Sequence, residues 1–515
     1  MVKAAKLFGN FFRVGFWTLM SRILGFFREI LFAAFLGSGA LAEAFLVAFT
    51  LPNMFRRIFA EGAFNLAFVP MFSKKLKNPK DAKQFAESAL SFLVTFLIIL
   101  VIVAQLIMPV MVFLMASGFV GDGRFDQAVL LGRIAFPYIL FISVAALLSG
   151  LLNSLGHFVV AAAAPCLLNL FLILALLCAH WFGLDFGLAL AWIVPIAGFA
   201  QLLVVWFASA QLGFSLKLKL PKLTPDIKKL LILALPAALS GGVVQINLVI
   251  GRQVASFTEG AVAWLSYADR LYQLPLGVVG VAIGVVLLPE LSKNLAEKNC
   301  AGGNFAFNRA SEAALALTMP ATVALIVLAV PIISVLFERG AFTSTDTQET
   351  SLALMVYAFG LPAFVLQKIY QPVFFAREDT RTPFVYAVIS MFVNGVVAVG
   401  LMSTIGYIAA AIGTTVASWT MLVMLIIKAR TFEGAVSIDP QLKRVALKIL
   451  LATGIMGGAL LCTIYLLGDW LSQGSIRYLY FTLLIAFGFI TYVFSHILLK
   501  TWELHAVMNY FRKRK

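Results

Sequence analysis

Fourteen long apolar stretches follow one another along this chain, each long enough to cross a lipid bilayer as a helix. The hydrocarbon core offers no water to backbone groups, so a spanning segment must satisfy its hydrogen bonds internally. Hydrophobic residues make up 62% of the 515 residues and charged residues only 12%, which excludes an ordinary soluble protein. We therefore predict an all-α polytopic membrane protein. The predicted spans lie near residues 11–36, 43–71, 88–115, 129–152, 158–181, 186–209, 230–256, 261–289, 312–337, 350–375, 383–404, 407–428, 445–467 and 477–499.

Lysine and arginine collect in every second segment between the spans, whereas the alternate segments are poor in cations and carry aspartate and glutamate. Because cations stay on the cytoplasmic side, this alternation predicts that both termini are cytoplasmic. The net charge of +16 mostly reflects this topology, and no loop is long enough to be a nucleic-acid-binding domain. The most basic segments carry Lys74, Lys75, Lys77, Lys80 and Lys83 after the second span and Lys217, Lys219, Lys222, Lys228 and Lys229 after the sixth.

The two halves of the chain share a series of landmarks in the same order. Pro109 and Gly118 in the first half are matched by Pro331 and Gly340 in the second, and five such landmarks are offset by 223, 219, 222, 222 and 225 residues. An even number of spans in each half relates the halves by an axis along the membrane normal, and such repeats in transporters surround a central substrate cavity. The predicted organisation is a six-helix lobe over 1–216, a second six-helix lobe over 217–435, and two additional transmembrane helices with a basic cytoplasmic tail over 436–515.

Arginines interrupt three of the apolar stretches. Arg22 and Arg28 lie in the first predicted span and Arg270 in the eighth. A charge deep in a membrane costs at least about 2.5 to 3.5 kcal/mol, so it normally faces a cavity, a partner or a substrate. Guanidinium is permanently charged and its planar fork matches phosphate oxygens, so several converging arginines favour a phosphate or diphosphate ligand. A cation exporter would instead be expected to line its cavity with carboxylates.

Helical spacing predicts that further polar side chains lie on the same helix faces as the arginines. Ser21 shares a face with Arg28, and Asp269 is adjacent to Arg270. The second span contributes further polar positions, namely Glu43, Asn53, Arg56, Arg57 and Glu61. Alternatives exist: Arg57 and Glu61 form only a structural pair, Arg56 extends to the membrane surface, or Asp269 neutralises Arg270. For Arg22 and Arg28 the ligand interpretation is favoured, because only Glu29 and Glu43 are acidic groups within reach.

Three segments resemble the signatures of the MurJ (MviN) family of lipid II flippases, in the multidrug/oligosaccharidyl-lipid/polysaccharide exporter superfamily. They run from Ser21 to Arg28, from Glu43 to Phe64, and from Tyr267 to Val278, and the resemblance covers essentially the whole chain. It implies a transporter rather than an enzyme, which carries lipid II, the undecaprenyl-diphosphate-linked peptidoglycan precursor, to the outer leaflet of the bacterial cytoplasmic membrane. That step serves cell-wall biogenesis and hence cell shape.

The resemblance also assigns residues. The family's essential arginines fall on Arg22, Arg28, Arg56 and Arg270, and its acidic position, often aspartate, is Glu43 here. In the family the last two spans help to form a groove for the lipid tail. The implied partners are lipid II, membrane lipids and other cell-wall synthesis proteins, with no cofactor and no metal. The predicted substrate-binding set is Arg22, Arg28, Arg56, Arg270, Ser21, Glu43, Asn53 and Asp269.

We expect alternating access, in which the anion neutralises mutually repelling arginines and so favours closure of the inner side. The driving force is left open: no ATP-binding loop is present, and the polar residues Gln245, Asn247, Asn394, Thr414 and Thr415 suit interhelical hydrogen bonds as well as an ion site. Two alternative functions remain, an exporter of another polyprenyl-diphosphate oligosaccharide or amphiphile, and a membrane glycosyltransferase. The latter should place carboxylates in a sizeable outer loop, whereas the outer loops here are short.

Overall fold

The computed structural model describes residues 2–57, 64–297, 299–432, 437–467 and 476–501. Within these ranges the chain forms seventeen α-helices and one short 3₁₀ helix, and no strand. Each of the fourteen predicted spans falls on one helix or on two consecutive helices, so the prediction of an all-α polytopic membrane protein is confirmed. By length and composition alone, nine of the described helices could cross a membrane, or up to eleven spans result if each bent pair is one span.

The chain divides into two compact units. The first comprises Met1–Ala263 with Arg339–Phe342, and the second comprises Trp264–Glu338 with Thr343–Lys515. The helices of the first unit are α1 (Val2–Leu36), α2 (Ala40–Phe55), α3 (Asn65–Lys75), α4 (Pro79–Met115), α5 (Gly123–Ala135), α6 (Tyr138–Ser154), α7 (Phe158–Phe182), α8 (Phe186–Gln211) and α9 (Pro225–Ala255), with the 3₁₀ helix at Ser117–Phe119.

Helix α10 (Ala261–Ala296) starts at the end of the first unit and continues into the second. The remaining helices belong to the second unit and are α11 (Cys300–Val327), α12 (Ala329–Phe337), α13 (Ser344–Phe375), α14 (Arg381–Ile405), α15 (Ile408–Ala429), α16 (Pro440–Leu467) and α17 (Ile476–Leu498).

Prolines break or bend several of the spans, because proline lacks a backbone N–H and clashes with the carbonyl four residues earlier. The fourth predicted span is divided at Phe136-Pro137, where α5 and α6 meet at 41°. The ninth is divided at Leu328, three residues before Pro331, into α11 and α12. Helix α9 bends by 46° after Pro236. The second predicted span also falls on two helices, α2 and α3, so three divided spans make seventeen helices out of fourteen spans, while the bent α9 counts as one helix.

In the first unit, α7 packs against α1 and α8, and α2 packs against α5. A chain of aromatic rings joins α3 to α4, with Phe68 stacked on Phe72 and on Phe85. The linker strap, residues 214–224 between α8 and α9, is held on α4. Its backbone N–H groups at Lys217 and Lys219 donate to the Glu87 carboxylate (3.3 Å) and the Ser91 hydroxyl (2.9 Å).

Helix α9 packs against α3 and α4, so the division between units falls later than the predicted lobe boundary at residue 216. The two units are defined by which helices pack together, whereas the predicted lobes are defined by repeated sequence landmarks. The lobes over 1–216 and 217–435 therefore stay a prediction.

In the second unit, α13 and α14 pack against α15, and α11 packs against α13 and α16. The two C-terminal helices close on each other around a buried cluster that includes Met456, Leu460 and Leu484. The Tyr492 hydroxyl of α17 donates to the carbonyl oxygen of Ala316 on α11 (2.6 Å). The additional helices are thus integral to this unit.

Candidate functional site

Arg28, on α1, is held by contacts with two side chains. Its Nη1 donates to Oδ1 of Asn169 on α7 (3.0 Å), and its Nη2 pairs with the carboxylate of Glu29. The amide of Asn169 in turn donates to the backbone carbonyl of Ser21 (3.1 Å). Only 13% of the Arg28 side chain is exposed. One asparagine therefore joins two turns of α1 and sets the orientation of the guanidinium.

Arg22 is in a different situation. Its side chain is exposed, and it forms no hydrogen bond or ion pair with any residue within the described ranges. Ser21, beside it, is half-buried and is engaged by Asn169 through its backbone carbonyl. Along α1 the structure thus presents one arginine that is held in place and one that has no protein counter-charge in these ranges.

The polar side chains of α2 mostly turn back on their own helix. Pro52 lies inside α2; on either side of it, Thr50 donates to the Leu46 carbonyl (2.7 Å) and Asn53 to the Phe49 carbonyl (2.8 Å). Arg56, half-buried, caps the helix with its backbone N–H. Arg57 is exposed; its predicted partner Glu61 lies outside the described residues.

Glu43 does not join the α1 arginines in this structure. Its side chain is 0% exposed, and one carboxylate oxygen pairs with Nη1 of Arg124 on α5 (2.8 Å). The other oxygen accepts the backbone N–H of Val262 at the start of α10 (3.0 Å). The carboxylate therefore joins α2, α5 and the N-terminus of α10, where the partial positive charge of the helix end favours an anion. Its role toward substrate stays a prediction.

Arg124 was missed by the sequence reasoning because it lies in what was treated as an outer loop. It donates to Asp122 (2.6 Å) as well as to Glu43, and its guanidinium lies 4.4 Å from the centre of the Phe119 ring. A cation in the first turn of a helix opposes the helix dipole. An arginine at that position therefore signals acidic partners, and this signal was available in the sequence.

Asp122 caps α5, with Oδ1 accepting the backbone N–H of Arg124 (2.8 Å). The hydrogen bond from the Arg124 side chain, partly opposed by burial, lowers the pKa of the Asp122 carboxyl below its ordinary value. This carboxylate remains charged at any physiological pH and keeps Arg124 in place.

The two predicted site residues of the second unit lie on α10. The carboxylate of Asp269 accepts a hydrogen bond from the amide of Gln273, one turn further along, and Arg270 is exposed. Among the polar residues considered for ion coupling, Thr414 donates to Ala410 within α15 and Thr415 donates to the Val356 carbonyl of α13 (2.9 Å). The latter is an interhelical hydrogen bond of the expected kind.

Comparison with known proteins places this architecture in one family. A family model described as lipid II flippase MurJ matches residues 32–482. The chain is 45% identical over 472 residues to a protein named probable lipid II flippase MurJ from Rhizobium tropici, covering 90% of this chain and 88% of that protein. A protein of the same name from Vibrio cholerae is 34% identical, with 94% of each chain covered.

Solved structures of related transporters have the same fold as this chain. A structure titled lipid II flippase MurJ, inward closed conformation, superposes with a TM-score of 0.80 at 28% identity and covers 95% of this chain and 98% of that one. An inward-facing multidrug resistance MATE family transporter of the MOP superfamily shares the fold, with a TM-score of 0.69 at 15% identity over 80% of this chain and 94% of that one. The relatives are named as flippases, which are transporters rather than enzymes. This multi-pass membrane protein belongs to the lipid II flippase MurJ family.

Proposed function

We propose that this chain is a lipid II flippase of the bacterial cytoplasmic membrane, with both termini in the cytoplasm. It moves the undecaprenyl-diphosphate-linked precursor from the inner to the outer leaflet by alternating access. Arg22, Arg28, Arg56 and Arg270 bind the diphosphate. Family membership supports the substrate, and the arrangement of Arg28 between Asn169 and Glu29 is the observation that carries the diphosphate role.

The contacts of Arg28 leave it able to bind an anion. A guanidinium has five N–H groups, and Asn169 and Glu29 occupy one on each terminal nitrogen. An N–H remains on each of Nη1 and Nη2, in the fork geometry that matches two phosphate oxygens. Because the asparagine holds the fork in one orientation, little conformational entropy is lost when the anion binds.

The two arginines of α1 differ in their counter-charges, and we infer different roles for them. Glu29 already neutralises much of the Arg28 charge, whereas Arg22 has no counter-charge within the described ranges. We assign to Arg22 the net electrostatic attraction of the diphosphate and to Arg28 its orientation. Arg56, on the first unit, and Arg270, on the second, are the further cations that the family resemblance implies.

Neutralisation of the arginines by the bound diphosphate triggers the conformational change. Cations that converge in a low-dielectric site repel one another, which opposes closure of the inner side until an anion is bound. A ligand shifts a conformational equilibrium only by its differential affinity for the two states. The diphosphate, bound better in the closed arrangement, therefore favours the step that leads to the outer leaflet.

The test is exposure of lipid II on the outer leaflet of cells depleted of their own flippase and supplied with this chain. We expect restoration by the native chain, none by Arg28→Ala, and a large loss with Arg28→Lys, which keeps the charge but not the fork. Arg13→Ala is the matched control, since Arg13 is another exposed arginine of α1, nearer its N-terminus.

The outcomes separate the parts of the proposal. No restoration by a properly inserted native chain would indicate another polyprenyl-diphosphate oligosaccharide as substrate. Full activity of Arg28→Lys would reject bidentate recognition and leave the substrate standing.

A further inference from the structure

An exposed arginine lies on α5, inside the fourth predicted span. The side chain of Arg133 forms no hydrogen bond or ion pair with any residue in the described ranges. Asp126 lies two turns earlier on the same exposed face of α5, and it forms no ion pair in those ranges either. The charge of Arg133 is therefore uncompensated in the described part of the chain, and this arginine does not belong to the set assigned to the diphosphate.

The depth of Arg133 in the membrane follows from the neighbouring helix α4. The side-chain amide of Gln105 on α4 donates to the backbone carbonyl of Arg133 (2.8 Å), so the two residues lie at the same level. Leu114, which is apolar and 61% exposed, lies nine residues after Gln105, close to the end of α4. Nine helical residues span about 13 Å. Because the apolar layer of one leaflet is about 15 Å thick, Arg133 lies deep in the hydrocarbon.

Two prolines change the hydrogen bonding of the backbone at this level. Pro137 has no N–H to donate to the carbonyl of Arg133, four residues earlier, and Gln105 supplies the missing hydrogen bond from α4. Pro109, inside α4, removes the usual donor to the carbonyl of Gln105 in the same way. The contact between α4 and α5 therefore combines an exposed guanidinium with a side-chain amide inside an apolar surface.

The fold does not require these polar residues. The two prolines have counterparts in the second half of the chain, Pro331 and Pro362, at landmark offsets of 222 and 225 residues. The residues four positions before these counterparts are Val327 and Ala358. Prolines are thus accommodated in the second half without a glutamine or an arginine. A charge in hydrocarbon is costly, so a charge that the fold does not need indicates a partner.

We propose that this surface binds a transmembrane helix of another membrane protein, through an aspartate or glutamate side chain that pairs with Arg133 inside the bilayer. The surface, here called the α4/α5 notch, consists of Gln105, Leu106, Pro109, Leu130 and Arg133. A carboxylate accepts two parallel hydrogen bonds from a guanidinium, and each charge then replaces the water that the hydrocarbon lacks. The inference goes beyond the proposed function, and its test needs no lipid II.

The depth of the notch and its apolar surface favour a helix over a lipid headgroup. A helical side chain leans toward the N-terminus of its own helix, and a lean of one full turn would still leave the guanidinium about 8 Å inside the apolar layer. Lipid phosphates lie outside that layer, whereas a helix carries a carboxylate to any depth. Leu106 is 75% exposed and Leu130 is 52% exposed, so the notch also offers side chains against which an apolar helix packs.

The test uses the full chain in phosphatidylcholine vesicles together with a synthetic transmembrane peptide. The peptide consists of leucine and alanine with one glutamate at mid-length, and a matched peptide carries glutamine there. Gln127 is exposed on α5, so Gln127→Cys, in a background without the four native cysteines, carries a fluorescent dye close to the notch. Energy transfer between this dye and a dye on the peptide measures binding.

We expect the glutamate peptide to bind about tenfold more tightly than the glutamine peptide, and Arg133→Leu to abolish that difference. Arg13→Leu is the matched control and should retain the difference, because Arg13 is an exposed arginine of another helix, α1. Leu130→Trp is a second variant, which keeps the charge but fills the notch with a larger side chain. It should weaken the binding of both peptides.

Three results would overturn the proposal. The first is equal binding of the two peptides to the native chain, and the second is a preference for glutamate that persists in Arg133→Leu. The third is loss of that preference when phosphatidylglycerol is added to the vesicles, which would assign Arg133 to a lipid phosphate. Thermal unfolding identifies the folded variants, and the exposed position of both substituted side chains makes a folding defect an unsuitable explanation for lost binding.

Discussion

Replacing Arg124 by leucine should damage the first unit more than replacing Glu43, although Glu43 is the predicted site residue. Arg124→Leu leaves the Glu43 carboxylate 0% exposed with backbone N–H groups, such as that of Val262, as its hydrogen-bond partners and no counter-ion among the residues that the structure describes. Glu43→Leu leaves Arg124 with Asp122, whose side chain is 42% exposed and accessible to water. An uncompensated buried charge is the costlier outcome.

The magnitudes follow from these contacts. Removing one partner of a buried ion pair costs about 3 to 5 kcal/mol, and a unit of this size loses about 2 °C in Tm per kcal/mol. Arg124→Leu should therefore lower the Tm by about 6 to 10 °C. The double variant Glu43→Leu with Arg124→Leu should regain much of this loss, because apolar side chains of similar volume often replace a buried pair without penalty.

Thermal unfolding of the purified protein in detergent measures all three variants, with export in cells as the second readout. A Tm of Arg124→Leu within about 2 °C of the native value would refute the assignment of a buried, structural ion pair. If the double variant unfolds like the native chain yet exports nothing, the pair of Glu43 and Arg124 has a role in transport beyond stability.

Two further predictions concern the arginine of α1 and the cap of α5. Asn169→Leu should raise the half-saturating lipid II concentration about tenfold, since a hydrogen bond to a charged group is lost; Gln201→Leu, which removes another buried amide that bonds to α7, should leave it unchanged. Because the folded-state pKa of Asp122 is depressed, its stabilisation is complete above the unfolded pKa and is lost as pH falls through the folded value. The Tm difference between the native chain and Asp122→Asn should stay constant down to about pH 5 and shrink below about pH 4; a constant difference at all pH values would contradict this.

The positions of the helices could be predicted from the sequence, but the breaks within them and the contacts between their side chains could not. Each of the fourteen predicted spans falls on one or two helices, because a bilayer leaves a backbone no other solution than internal hydrogen bonds. The breaks at Phe136-Pro137 and Leu328 were not predicted, since a proline in a span bends, breaks or leaves the helix straight according to its neighbours. The length and apolar character of a span do not tell whether its proline bends the helix, breaks it or leaves it straight.

The candidate site also contains residues that the sequence identified and residues that it did not. Depth in an apolar stretch singled out Arg22 and Arg28, and adjacency along α1 gave the partner Glu29. Asn169 lies 141 positions from Arg28 along the chain, and a neutral amide in a span has no sequence signal that separates it from ordinary interhelical hydrogen bonding. Arg124 illustrates the opposite case, a charge whose conflict with the helix dipole was visible but not used.

The first unit has a consequence for how the protein is made. Apart from Arg339–Phe342, it consists of one continuous stretch that ends at Ala263. Chains leave the ribosome from the N-terminus at about 5 to 20 residues per second, so α1 to α9 are in the bilayer while most of the later helices are still untranslated. The linker strap, by seating on Glu87 and Ser91, delivers α9 to α3 and α4 at that stage. A nascent chain arrested soon after Ala263 would therefore already carry a nearly finished unit, assembled in the order of its synthesis.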